Sequence, residues 1–173
     1  MKYSKFILLF VLGVFLFTAS FSQSGYLKIG DIKGESEARD HKDWIIIESF
    51  AYKIATNNNP ASGRVIKSAS TFEDLIIRKK LDKASPVLMM KCAAGEVMPE
   101  LELELSGADG KAYYKIKLSE VRVTNISISA SGQPQNEMME EVSFNYSKIS
   151  WEYIDKKGGV NRAGYDLKLN KKV

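Results

Sequence analysis

The sequence feature that most constrains the fold is a strict alternation at positions 100–105, where three glutamates alternate with three leucines. Successive side chains of a β-strand point to opposite faces, so this spacing predicts a strand with one buried face and one solvent-exposed face. The same period of two recurs farther along the chain. It is seen at Tyr114, Ile116 and Leu118, and again at Val142, Phe144 and Tyr146.

Turn sequences and changes of phase divide the predicted strands. Asp109 and Gly110 predict a tight turn, and positions 155–159 (DKKGG) predict another that leads to a last strand at 165–169. The apolar phase slips by one residue at Asn125, which indicates a β-bulge. Upstream, the sequence predicts strands at 26–32, 44–54 and 72–80, and a loop at 55–63 (ATNNNPASG).

One helix is predicted, at positions 85–95. Ser85 can cap the free backbone N–H groups, Pro86 suits the first turn, and Gly95 can end the helix in a left-handed conformation. The segment is apolar nearly all round, so we expect it to be buried against a sheet, with Cys92 as a core thiol. Many short strands with a single helix predict a mainly β fold, either a barrel or a sandwich.

The first 22 residues have the order of a secretory signal peptide. Lys2 and Lys5 precede an apolar run at positions 6–17, and small polar residues follow that run. The run is too short for a membrane-spanning helix, which needs about 20 apolar residues. We therefore predict cleavage before Gln23, an exported protein without a membrane anchor, and one folded domain at 23–173.

Composition excludes several kinds of active site. The chain has one cysteine and one histidine, so neither an internal disulfide nor a zinc site of several Cys and His residues can form. The formal net charge of +4 does not predict nucleic-acid binding. The sequence contains no G-x-S-x-G, Walker or H-E-x-x-H motif, and we predict no catalytic residue, metal or cofactor.

His41 is the strongest remaining candidate for catalysis. It lies beside Asp40 and Asp43, and Ser36 could in principle be its nucleophile. Spacing alone supplies no geometry for a catalytic triad. We therefore expect a solvated loop histidine that makes a local hydrogen bond.

Four other sets of residues could form functional surfaces. Glu102 and Glu104 share a strand face and could be paired carboxylates, although such a face usually serves solubility. Met138 and Met139 are apolar residues in a polar stretch, which predicts contact with another chain. A set of aromatic residues could stack a ligand or form core, and the C-terminal lysines could bind an acidic partner or belong to a frayed tail. The aromatic residues are Tyr113, Tyr114, Trp151 and Tyr153, and the lysines are Lys168, Lys171 and Lys172.

Seven blocks of the sequence together resemble one protein family. They occur in order between about residues 26 and 170: KIGDIKGES at 28–36, HKDWI at 41–45, KLDKASP at 80–86, LMMKCAAG at 88–95, LSEVRV at 118–123, VSFNYSKISW at 142–151 and GYDLKLN at 164–170. On these blocks the chain is similar to the haemolysin-coregulated protein (Hcp) family, the tube subunits of bacterial type VI secretion.

The resemblance implies a squat β-barrel of two packed antiparallel sheets with one flanking α-helix. It also implies homohexameric rings that stack into a hollow tube, carry effectors and work with spike and sheath proteins, without catalysis. Gly30, Gly34 and His41 then have structural roles. In this family a loop reaches the neighbouring ring, and the matching residues here are Asn57, Asn58, Asn59, Pro60, Ser62, Gly63 and Arg64.

The predicted leader departs from the family pattern, because tube subunits are assembled in the cytoplasm and leave through the secretion machine itself. We therefore expect a secreted or periplasmic relative that still forms rings, or an extracellular protein of the type VI machine if the leader is not used. The alternative, from a different class of function, is an exported monomeric β-barrel that binds a ligand. The aromatic-rich strands and the leader also fit that alternative.

Overall fold

A computed structural model of the chain describes residues 24–56, 70–129 and 138–173. The predicted leader at 1–22 and the predicted ring-contacting residues between Asn57 and Arg64 lie outside the described residues. Within the described ranges, no helix has the length and apolar character that crossing a membrane requires.

The described chain is mainly β, with one α-helix and one turn of 3-10 helix at Arg39–His41. The helix is α1 (Ser85–Ala94). The strands are β1 (Ser24–Ile29), β2 (Ile45–Ile47), β3 (Ser49–Ala51), β4 (Ile54–Thr56), β5 (Ser70–Phe72), β6 (Leu75–Lys80), β7 (Val97–Ser106), β8 (Ala112–Ser129), β9 (Met139–Asn145), β10 (Lys148–Ile154), β11 (Val160–Asp166) and β12 (Lys171–Lys172).

The long strand β8 organises the larger of two antiparallel sheets. It pairs with β7, and also with β10 over its first half and with β9 over its second half. Glu120, with φ 51°, lies between the β10-paired and β9-paired halves. The register with β9 shifts between Val123 and Asn125, which confirms the predicted bulge.

The larger sheet curls because its two branches from β8 meet in one segment of chain. One branch runs through β7 and β1 to β2, and the other runs through β9 and β6 to β3. Only Glu48 separates β2 from β3, and its N–H donates to the carbonyl oxygen of Arg78 on β6, at 2.8 Å. No ladder among the described strands joins β2 to β6, so the barrel is not closed by strand pairing there.

The remaining strands flank this curl. β10, β11 and β12 extend the larger sheet beyond β8, and β4 pairs with β5 in a separate two-stranded sheet. These antiparallel sheets with one helix confirm the predicted fold class. The core side chains lie inside the curl and include Leu27, Ile29, Ile45, Leu75, Ile77, Leu101, Leu103, Ile116, Leu118, Val142 and Phe144.

The helix is at the predicted place, but its predicted burial is wrong. Gly95 ends it in the left-handed conformation with φ 61°, as expected. Only Ser85 and Leu88 are buried, Met90 is 67% exposed, and Cys92 is half-buried against the core. The helix therefore packs through one narrow face, since a single sheet surface covers it.

The C-terminal prediction is also corrected. The last long strand begins at Val160 rather than at 165, and Lys171 and Lys172 form β12 instead of a frayed tail. Asp166 explains why the C-terminal residues form a strand. Its carboxylate accepts the N–H of Leu169 at 2.8 Å and closes the turn before β12. Similarly, the predicted strand at 44–54 is divided into β2, β3 and the first residue of β4.

Gly34 supplies a test of this packing. A Cβ at Gly34 would lie 2.3 Å from the carbonyl oxygen of Trp44 and 2.4 Å from the Cα of Ile45. These are backbone atoms that cannot rotate away, so we expect Gly34→Ala to lower the free energy of unfolding by about 1–3 kcal/mol, measured by urea denaturation. Gly107→Ala is the control, because its Cβ would lie 3.2 Å from the end of the Asp109 side chain and an ordinary 4.0 Å from the carbonyl oxygen of Lys111. Equal losses in the two variants would contradict the argument.

Candidate functional site

His41 belongs to a buried polar cluster, so the prediction of a solvated loop histidine is wrong. It is 3% exposed, and its Nε2 lies 2.8 Å from Oε2 of Glu104. Its ring stacks on Tyr26 with the centroids 4.1 Å apart and meets Trp44 edge to face at 4.9 Å. The loop is drawn inward because the imidazole has both an aromatic partner on β1 and a carboxylate on β7.

Ser36 is also buried, but it does not complete a nucleophilic pair with His41. The hydroxyl oxygen of Ser36 accepts the N–H of Ala38 at 3.2 Å, and the N–H of Ser36 donates to the carbonyl oxygen of Trp44 at 3.0 Å. No hydrogen bond between described residues joins Ser36 to His41. The arrangement holds the loop against β1 and β2, with the histidine engaged by glutamate.

Glu102 and Glu104 share one face of β7, as predicted, but each has its own lysine on β8. The register sets Glu102 opposite Lys117 and Glu104 opposite Lys115. Lys117 Nζ lies 3.4 Å from Glu102 Oε1, and Lys115 forms a close ion pair with Glu104. The prediction that this face is wet fails at Glu104, which is 7% exposed because His41 covers it.

The charge of Glu104 is set by competition between burial and its two donors. Burial by itself raises the pKa of this carboxyl, but the hydrogen bonds from Lys115 and His41 outweigh it and leave the pKa below its ordinary value. Burial lowers the pKa of Lys115, and Glu104 more than compensates, so that pKa lies above its ordinary value. Both partners are therefore held in their charged forms.

A second buried polar cluster surrounds Lys79 near the end of β6. The Lys79 side chain has no exposed surface, and its Nζ lies 2.7 Å from the carbonyl oxygen of Lys80, 2.7 Å from Asp82 Oδ1 and 2.7 Å from Glu140 Oε1. The hydroxyl of Ser85 donates to Glu140 Oε1 at 2.8 Å. The cluster ties β6, β9 and the start of α1 together.

Sequence reasoning missed this cluster, although part of its signal was present. Lys79 occupies the alternate position after Leu75 and Ile77, so it points to the inner face of β6. Glu140 is its direct partner in the register of β6 and β9. Ser85 faces the same cluster and does not cap the helix, whose N-cap is Ala84, so its predicted capping role is wrong.

An exposed groove lies beside the Lys79 cluster. It has a volume of about 480 Å³, and its apolar side chains are Ile46, Leu81 and Met138, which are 47%, 36% and 43% exposed. The N–H of Leu81 donates to the carbonyl oxygen of Met138 at 2.9 Å and holds two of its walls together. The other lining residues are Glu35, Glu48, Lys80 and Asp82.

The remaining predicted surface residues are distributed over different environments. Met138 lines the groove, whereas Met139 is half-buried in β9. Among the aromatic residues, Tyr114 and Trp151 pack against the core, Tyr113 is half-buried and Tyr153 is exposed. Lys168 forms an ion pair with Glu120, and the described part of the chain holds no group of three metal-ligating side chains.

The fold and these clusters can now be compared with known proteins. The model of the family described as "Type VI secretion system effector, Hcp" matches residues 26–153. This is well over half of the chain, so the chain belongs to the Hcp family of type VI secretion proteins.

Individual relatives agree with this assignment. The chain is 28% identical over 155 residues to "Protein hcp1" of Pseudomonas aeruginosa, which covers 84% of this chain and 95% of that protein. The crystal structure of Hcp1 from Salmonella typhimurium is 30% identical, with a TM-score of 0.78 over 88% of this chain and 99% of that one. A solved type six secretion system protein is 28% identical, with a TM-score of 0.82 over 88% of this chain and 100% of that one.

The Glu104 cluster predicts a particular dependence of stability on pH. Glutamate titrates near 4.3 in an unfolded chain, and the pKa of Glu104 is lower in the folded protein. The stabilisation is therefore complete above about pH 4.3 and is lost as pH falls through the folded pKa. We expect Glu104→Gln to remove this dependence and to cost about 1–3 kcal/mol at pH 7, measured by urea unfolding from pH 3 to 7. Glu102→Gln is the matched control, and an identical pH profile in both variants would contradict the assignment.

The Lys79 cluster predicts a larger loss of stability. Lys79→Met leaves Glu140 and Asp82 without their buried cation, so we expect the free energy of unfolding to fall by about 3–5 kcal/mol at pH 7. The double variant Lys79→Met with Glu140→Leu should regain part of that loss, since the buried Glu140 carboxylate is then absent, whereas Asp82 keeps the N–H of Ala84 but no cation. Lys53→Met removes the exposed pair of Lys53 with Glu73 and should change little. Failure of the double variant to exceed the single one would refute the role of the ion pair.

Proposed function

We propose that this chain is the repeating subunit of a hollow tube, in which six copies form a ring and rings stack on one another. The observation that carries the proposal is the correspondence with a type six secretion system protein over the whole of that solved chain. In this proposal the activity of the chain is self-assembly rather than catalysis, and effectors, spike and sheath proteins are its partners.

The buried polar clusters support a role of this chain in assembly rather than in catalysis. His41 and Lys79 carry the side chains best suited to chemical reaction. Both are buried, and each contacts a carboxylate of the same chain within hydrogen-bond distance. Apolar side chains are instead exposed at separate surfaces of the fold, on α1 at Val87 and Met90 and in the groove. Exposed apolar patches of this kind mark surfaces that contact other proteins, and Met138 is proposed as one such contact.

The stacking loop is part of the same proposal. Residues 57–64 are proposed to contact the next ring, and they follow β4, whose Thr56 is paired with Ser70 of β5. The leader at 1–22 is proposed to be cleaved on export, which would give a ring-forming protein outside the cytoplasm.

The size and shape of purified residues 23–173 test the proposal. We expect native mass spectrometry to give six subunits per particle and negative-stain microscopy to give rings with a central hole. A monomer at every concentration tried, stabilised against heat by a small ligand, would favour the exported ligand-binding barrel instead.

A further inference from the structure

We infer that the groove lined by Ile46, Leu81 and Met138 binds an extended segment of a partner protein, in which an apolar residue is flanked by lysine or arginine. The inference goes beyond the proposed function, because it concerns a partner of each single subunit and does not depend on ring formation. It is carried by an unpaired strand edge, an apolar floor and two unpaired carboxylates at the groove.

The groove lies beside the gap between β2 and β6, where the described strands form no ladder. At one end of the gap the Trp44 carbonyl oxygen accepts the N–H of Ser36 at 3.0 Å, and at the other end the N–H of Glu48 donates to Arg78. Alternate residues of an antiparallel strand direct their backbone groups to the same side, so those of Ile46 face the gap as the Trp44 carbonyl does. No described residue bonds to them there.

An unpaired strand edge binds an extended peptide through main-chain hydrogen bonds. The partner residue opposite Ile46 donates its N–H to the Ile46 carbonyl oxygen and accepts the Ile46 N–H, as one hydrogen-bonded pair of an antiparallel ladder does. The closing bonds at Trp44 and Glu48 confine the pairing to this one residue. Side chains on both sides of it therefore have to supply the rest of the affinity.

The side chains around Ile46 offer apolar surface to that partner residue. Ile46 points outward between two buried residues of β2. Leu81 and Met138 line the same groove, and all three side chains are more than a third exposed. Cross-strand pairs of apolar side chains stabilise a ladder, so the residue opposite Ile46 is apolar.

The unpaired charges of the groove are both negative. Glu35 and Glu48 are exposed, and neither carboxylate forms an ion pair with another described residue. Asp82 is already paired with Lys79, and Lys80 is engaged as well. A lysine or arginine two positions from the apolar residue lies opposite Glu48, and a second one on the other side approaches Glu35. Opposite charges placed in this way select a partner and fix its register.

A designed peptide tests the charges. The probe is fluorescein-labelled Ser-Lys-Thr-Val-Thr-Lys-Ser with an amidated C-terminus, and residues 23–173 are titrated into it while fluorescence anisotropy is measured. We expect saturable binding that Glu35→Lys/Glu48→Lys weakens by roughly tenfold or more. The peptide with both lysines replaced by glutamate should bind to this variant alone, because peptide and groove are then again opposite in charge. Asp31→Lys/Glu100→Lys reverses two exposed carboxylates outside the groove and should bind the original peptide as the unaltered protein does.

A second measurement tests the backbone pairing without changing any charge. Methylation of the central valine nitrogen removes the N–H that donates to the Ile46 carbonyl oxygen, so it should weaken binding by roughly tenfold or more. Methylation of the nitrogen of the preceding threonine is the matched control, because the N–H groups of neighbouring residues point away from β2. The control peptide should bind nearly as well as the original.

Each result decides the inference. It is overturned if no saturable binding occurs below about 1 mM, if the lysine and glutamate peptides bind the unaltered protein equally, or if the two methylations cost the same affinity. Binding to dissociated subunits but not to assembled rings would show that a neighbouring copy covers the groove, which would also overturn it. None of these outcomes decides the ring proposal, which particle mass and ring images measure separately. If no rings form, the peptide titrations still decide the inference.

Discussion

The change of partner along β8 is the constraint on which the rest of the structure depends. β8 keeps β7 as a neighbour while β10 gives way to β9, and Glu120 adopts a positive φ between the two halves. Because β10 and β9 leave in different directions, one sheet can both curl around the core and extend outwards to β12. The bulge at Thr124 adds to this curvature, since an extra residue on one strand bends it away from its partner. The helix α1 also packs against this strand.

Two buried ionic clusters then fix the register of the curled sheet. Lys79 and Glu140 are direct cross-strand partners on β6 and β9, as are Lys115 and Glu104 on β8 and β7. A shift of either pair by one residue would turn a charged side chain toward the wrong face and leave its partner unpaired. The clusters also hold the loops: His41 anchors the segment before β2, and Asp82 anchors the segment before α1. The two clusters therefore fix the positions of these loops and also stabilise the fold.

Local signals in the sequence were sufficient for most of the elements. The alternation at 100–105, the turn at Gly110 and the phase slip at Asn125 are properties of neighbouring residues, and all three are confirmed. The ionic clusters were missed because Lys79 and Glu140 are distant in sequence, and their pairing becomes visible only when the register of two strands is known. The exposure of α1 was missed for a related reason, since an apolar segment does not reveal how many surfaces are available to cover it. The groove could not be predicted either, as its walls come from four separate parts of the chain.

The shortness of β12 has a consequence for the free subunit. β12 pairs only with Tyr165 and Asp166, so the described strands leave the outer edge of β11 between Val160 and Ala163 without a partner. An open edge is a template on which a strand of another molecule can form hydrogen bonds, and sheets that lack protection there tend to aggregate. An isolated subunit therefore presents backbone donors and acceptors at this edge, on which a strand of another molecule can pair, and such pairing becomes faster as the protein is concentrated.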